Sequence, residues 1–182
     1  GNVTGSIMGD DVTTGTGGDI IVNNGTVSSF IYGDGTTGTG SGNDVITNNG
    51  SVAGSIYGDS DSGTGSGSDT ITNNGTVDNI YGDNTAGTGI GSDTITNDGA
   101  VNGSIVAGDG GDDVVNTGTV NGNIDAGDGR DTVTHSGTVN GSIIGGASGD
   151  TVTIATNTAT VGGIIDGGTG YDVLTFNITS TD

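Results

Sequence analysis

Apolar residues return at fixed stations along the whole chain. Valine marks the first station: Val3, Val27, Val52, Val77, Val101, Val120, Val139 and Val161, at steps of 24, 25, 25, 24, 19, 19 and 22 residues. Isoleucine follows, mostly four residues later, at Ile7, Ile31, Ile56, Ile80, Ile105, Ile124, Ile143 and Ile165. A third station holds Ile21, Ile46, Ile71, Ile95, Val114, Val133, Val152 and Leu174. Turn residues separate these positions, and the pattern around them alternates with period two. Each coil therefore predicts two short β runs. One coil cannot bury its apolar face alone, but stacked coils join their faces into a continuous core. The pattern predicts an all-β fold, a parallel β-solenoid (β-helix or β-roll) of about eight coils of 19–25 residues over residues 1–182. A strand spacing of ~4.8 Å makes the rod roughly 38 Å long. Parallel crossovers are right-handed, so a right-handed coil is expected. The density of Gly, Asn and Thr leaves no room for helix.

The steps divide the domain in two. Residues 1–100 form long coils of 24–25 residues, and residues 101–182 form compact coils of 19–22. The extra residues of the long coils fall at one place, a glycine-rich turn such as Gly33 to Asp44, repeated from Gly58 to Asp69 and from Gly82 to Asp93. In the compact form, Ala107 to Asp112 and Ala126 to Asp131 cover the same turn. The seventh coil carries its insertion elsewhere, over Thr153 to Thr160. On the opposite corner, Asn23, Asn48, Asn73, Asn97 and Asn116 lie two residues beyond an inward apolar position. They are expected to face inward as a hydrogen-bonded amide ladder, as in cross-β stacks. His135 continues this column, as a metal ligand or base or, more plainly, as a substitute rung. Tyr32, Tyr57 and Tyr81 share a further column, read as a stabilising cross-strand ladder in preference to a sugar- or protein-binding stack.

Composition sharpens the picture. Glycine is 42 of 182 residues, and proline and cysteine are absent. All 22 acidic residues are Asp and the only basic side chain is Arg130, giving a net charge of −21. Such a surface excludes nucleic acid, whose phosphates need a basic patch, and anionic membrane surfaces. No apolar run approaches the ~20 residues of a membrane span. Without cysteine there is no disulfide scaffold and no thiolate zinc site. Low hydrophobicity with high charge is also the signature of disorder, and the strict period argues against it. The chain opens on Gly1 without methionine, which leads us to expect a piece processed or excised from something longer.

The choice of Asp over Glu points to turns and metal loops. Gly127-Asp128-Gly129-Arg130-Asp131-Thr132-Val133 reads Gly-x-Gly-x-Asp-x-apolar, and a version recurs in every coil, ending as Gly167-Gly168-Thr169-Gly170-Tyr171-Asp172-Val173-Leu174. Glycine permits positive φ and close carbonyl packing, and Asp supplies the hard oxygen that calcium prefers. Stacking would place like carboxylates about 5 Å apart, a repulsion of roughly 3 kcal/mol per pair at an effective dielectric of ~20. Several such pairs would cancel a net stability of ~5–15 kcal/mol, so a divalent cation between them is expected to stabilise the fold.

This sequence resembles the RTX-type calcium-binding repeats of bacterial surface adhesins, including their ice-binding 19-residue repeats, with Gly127, Gly129, Asp131, Val133, Gly137, Val139, Gly141 and Ile143 as matched positions. The resemblance implies Ca2+ ions in a row between stacked turns. Carried over by position, the ligands are Asp19, Asp44, Asp69, Asp93, Asp112, Asp131, Asp150 and Asp172. The earlier acids of the turn, Asp10, Asp34, Asp59, Asp83, Asp109 and Asp128, are expected to complete some sites, with no acidic counterpart at Ala147 or Thr169. The long turns depart from the family's spacing.

No catalytic constellation emerges from one histidine, no Cys and no Glu. The expectation is a non-enzymatic, secreted, calcium-rigidified structural solenoid at a prokaryotic cell surface or in its extracellular matrix. It would be the subunit of a head-to-tail filament, self-associating end to end, or a segment of a repeat adhesin or surface-layer protein, without nucleic acid or membrane insertion. The repeat nearly continues from Asp182 to Gly1, as either assembly requires. Two other readings stand beside it. One is an ice-binding face, for which Thr39, Thr64 and Thr88 form a row, but Asp128, Arg130, Ala147, Gly149, Thr169 and Tyr171 do not. The other is the C-terminal repeat region of a secreted hydrolase or toxin. Sequons such as Asn24-Gly25-Thr26, Asn74-Gly75-Thr76 and Asn177-Ile178-Thr179 coincide with the turn consensus.

Overall fold

The structure, a computed structural model, describes residues 1–10, 15, 17–37, 40–62, 65–84 and 89–177. The Thr39, Thr64 and Thr88 row and the end of the Asn177 sequon lie outside the described residues. Among these residues there is no helix, and the strands form three parallel sheets of eight strands each. One sheet runs from Asn2–Val3 to Thr160–Val161, the second from Ile7–Met8 to Ile165–Thr169, and the third from Ile20–Asn23 to Val173–Phe176. In every sheet each strand pairs with its counterpart one coil away, so the fold is a β-solenoid.

The three apolar stations align level by level. Val27 stands over Val52, Ile31 over Ile56 and Ile46 over Ile71, and the same register continues through Val139↔Val161, Ile143↔Ile165 and Val152↔Leu174. From Ile21 to Val152 these stations form one buried core along the axis, with Val161 and Ile165 packed against it and Leu174 exposed at the last coil. Burial of each Ile or Val stabilises by ~1.5–3 kcal/mol, which is what the period of the sequence encodes.

Two runs per coil were expected, and three strands are found. The run from the valine station to the isoleucine station breaks at a corner. At Gly54, Gly103, Gly122 and Gly141 the backbone N–H donates to the corner one coil below, at 2.7–3.0 Å. A four-residue spacing leaves too few residues for a straight strand, so the chain bends and starts a second sheet. The opposite corner is built from Asn-Gly. Gly50 and Gly75 stack so closely on the carbonyl one coil below that any Cβ would overlap it.

The amide column at that corner is as expected. Asn23 Nδ2 donates to Asn48 Oδ1, Asn48 to Asn73, Asn73 to Asn97 and Asn97 to Asn116, at 2.7–2.8 Å. Asn116 Nδ2 lies 3.1 Å from His135 Nδ1, and His135 Nε2 lies 3.1 Å from the Thr160 carbonyl. An amide can only donate to Nδ1, and a carbonyl can only accept from Nε2, so the Nε2–H tautomer fits. His135 is thus a rung of the ladder. Tyr32, Tyr57 and Tyr81 stack face to face, centroids 5.1 and 4.8 Å apart, with Phe30 tilted against Tyr32.

The two turn forms differ in backbone. The compact turns take positive φ at Gly108 and Gly110, Gly127 and Gly129, Gly146 and Ser148, and Gly168 and Gly170. Among the described residues the long turns use none. No helix here is long and apolar enough to cross a membrane.

Candidate metal centre

The first acid column stands two residues before the third apolar station. That offset turns each carboxylate inward, toward the core side of the strand. Its members bond along the axis. The backbone N–H of Asp19 donates to Asp44 Oδ1 at 2.7 Å, and Asp44, Asp69, Asp93, Asp112 and Asp131 repeat the bond to the next coil at 2.7–2.9 Å. Asp150 closes the series on Asp172 Oδ1 at 3.1 Å. One oxygen of each carboxylate from Asp44 to Asp172 is therefore satisfied. The other is not: Oδ2 of Asp19, Asp44, Asp69, Asp93, Asp112, Asp131 and Asp150 is buried without a hydrogen-bond partner. This backbone ladder was not anticipated from the sequence.

The earlier acids do not form one column. Asp34, Asp59 and Asp83 are enclosed, with 0, 0 and 1 % of their surface exposed. Both oxygens of Asp34, Oδ2 of Asp59 and Oδ1 of Asp83 lack a partner, as does the buried Ser60 Oγ. Asp10 is half-buried and accepts from the Gly17 N–H at 3.3 Å. Asp109 is half-buried and Asp128 exposed, and they stand in register with each other and with Ala147. The cause lies in the turns. After Tyr81↔Val106, the long coil runs on so that Asp83 points inward, whereas the compact coil turns at Gly108, φ 123°, and sends Asp109 outward.

Glycines complete the enclosure. A Cβ on Gly67 would overlap the Gly42 carbonyl oxygen and lie 3.0 Å from Asp59 Oδ1 and 3.1 Å from Asp69 Oδ1. The two carboxylate oxygens are thus within about 6 Å of one another, and the Gly67 N–H also donates to Asp59 Oδ1 at 3.2 Å. Oxygens bound to one calcium lie up to ~5 Å apart. Gly42 and Gly91 are set in the same way against the Gly17 and Gly67 carbonyls, 3.2 and 3.1 Å from one carboxylate oxygen each, Asp44 and Asp93 Oδ1. Among the described residues no three acidic or histidine side chains converge as a ready cage. An ion here would take two carboxylates and draw its remaining ligands from backbone carbonyls. That all-oxygen set suits calcium and excludes soft metals.

The electrostatics follow from enclosure. Burial, with the charges of Asp93, Asp59 and Asp44 adding to it, pushes Asp69 up to about 9. Burial likewise raises Asp59 and Asp93 to about 8, Asp131 to about 7, and Asp34, Asp44, Asp83 and Asp112 to about 6. The chain's one cationic side chain, Arg130, is exposed in the compact half. A buried, unpaired carboxylate is costly, so it either holds a proton or gains a counter-ion. Orphaned oxygens, glycine-lined oxygen clusters and raised acids together fit a hard cation. Comparison with protein-family models, curated proteins and solved structures gives no match for this chain.

Proposed function

We propose that this protein is a calcium-stabilised structural solenoid of an extracellular repeat protein. It serves as the subunit of a head-to-tail filament or as a segment of a surface adhesin or surface-layer protein, and it is not an enzyme. One observation carries the reading: on seven consecutive levels a buried aspartate oxygen has no partner. A protein has no reason to stack partnerless carboxylates along its axis unless something positive joins them, and a bound cation stabilises the folded state by mass action. An affinity at the weak end for calcium, ~10⁻⁴–10⁻³ M, is typical of extracellular modules and would suffice for this role. The non-enzymatic role is supported by His135, the single histidine, which caps the buried amide ladder. Filament and adhesin array both extend the three sheets by further parallel strands at their edges, the contact that open strand edges favour.

Calcium titration followed by circular dichroism and light scattering tests this. The expected result is a cooperative gain of β signal and melting temperature with millimolar calcium, reversed by chelator. Growth to fibres selects the filament, and a compact monomer selects the array. A chain with the same spectrum and melting temperature in calcium and in chelator at neutral pH would rule the proposal out.

A further inference from the structure

We propose that the long-coil half carries a second, inner row of divalent-cation sites, in which Asp34, Asp59 and Asp83 face Asp44, Asp69 and Asp93. The inference rests on the cation reading above and adds a site class that the compact turns lack. Three features carry it. Asp34, Asp59 and Asp83 are at least nine-tenths enclosed, and each holds an oxygen without a partner, as does Ser60 beside Asp59. The facing column offers a second orphan at each level, Oδ2 of Asp44, Asp69 and Asp93. The backbone is cut to fit: at Gly33, Gly58 and Gly82 a Cβ would collide with those same Oδ2 atoms. In the compact coils that station holds Ala107 and Ala126, both fully buried, and then Gly145 and Gly167, and no inward earlier acid stands beside any of the four. The extra residues of the long turn thus add an enclosed acid opposite the first column. Two carboxylates per level neutralise one divalent cation, and glycine carbonyls such as Gly42 O supply further ligands.

The sequence supplies its own reporter. Tyr32, Tyr57 and Tyr81 each stand two residues before an inner acid, whereas the one other tyrosine, Tyr171, precedes Asp172. Terbium, a calcium substitute with the same oxygen preference, emits when excited through a nearby tyrosine. The full chain carrying Tyr171→Phe is titrated with terbium under tyrosine excitation, and total calcium is counted by equilibrium dialysis. The expected result is sensitised emission that calcium competes away. Asp59→Asn, and separately Asp34→Asn with Asp83→Asn, should raise the midpoint by about tenfold or more through loss of ligand charge. Asp113→Asn, at an exposed position of the compact half outside both acid columns, should leave the midpoint within about twofold. Asparagine is nearly isosteric with aspartate, so these variants are expected to fold in saturating calcium, checked by circular dichroism. An unchanged midpoint in the inner-acid variants, with calcium still bound, overturns the inner row alone. A wild-type chain that binds no calcium overturns the inner row together with the cation reading on which it rests.

Discussion

Removing ions from this protein should invert the usual dependence of stability on pH. In the ion-free fold Asp69 is pushed up to about 9 from an ordinary 3.8 by burial and by Asp93, Asp59 and Asp44. The folded chain therefore holds a proton at neutral pH that the unfolded chain releases. Its stability contribution is fully present below pH ~4 and is lost as pH rises toward the folded value. Each pH unit in that window costs ~1.4 kcal/mol, so Asp69 alone removes about 4 kcal/mol between pH 4 and 7. Asp93 and Asp59, raised to about 8, act in the same direction. Net stabilities are only ~5–15 kcal/mol, so the ion-free rod should be folded at pH 4 and largely melted at pH 7. The assay is thermal unfolding by circular dichroism at pH 4 to 8, on metal-stripped protein and in excess calcium. Stripped protein should lose about 8–16 °C from the Asp69 contribution alone, at ~2–4 °C per kcal/mol. Calcium-loaded protein should show the opposite slope, because acid protonates its ligands. A melting temperature of the stripped chain that is flat, or rises from pH 4 to 7, refutes the reasoning.

Three further outcomes are expected. Asn73→Ala removes a rung that donates to Asn97 and accepts from Asn48, leaving buried amides unpaired, and should cost about 2–4 kcal/mol in denaturant unfolding. Ser148→Gly should stabilise by about 1 kcal/mol, because Ser148 holds φ 86° where the neighbouring compact coils place Gly110, Gly129 and Gly170. Gly58→Ala, whose methyl would meet both Asp69 Oδ2 and the Gly82 carbonyl oxygen, should cost about 1–3 kcal/mol and weaken calcium binding, whereas a conservative change at the exposed Arg130 should do neither.

Much of the solenoid was legible because its core is periodic. The three apolar stations, the amide column and the tyrosine column all stack in the register the spacing implies, since a slip of one residue would turn a buried face to water. The third sheet was not legible. The distance from Val27 to Ile31 resembles one alternating run, and only the corner bonds at Gly54 and its equivalents divide it. The first acid column could be read from its place two residues before Ile46 or Ile71, but its backbone ladder could not. The split of the earlier acids into enclosed and outward members was not legible, because Tyr-Gly-Asp and Ala-Gly-Asp look alike. A usable signal was present: ten residues separate Asp34 from Asp44, Asp59 from Asp69 and Asp83 from Asp93, but three separate Asp109 from Asp112 and Asp128 from Asp131. The longer span gives the chain room to place its acid inside before turning.

Anomalous diffraction from crystals grown in calcium, or soaked in a lanthanide, is the most direct test that cations join the stacked acids. Peaks should lie ~2.3–2.6 Å from the Oδ2 atoms of Asp44, Asp69 and Asp93. A well-ordered rod at neutral pH with those oxygens still buried and no scattering peak beside them would contradict it.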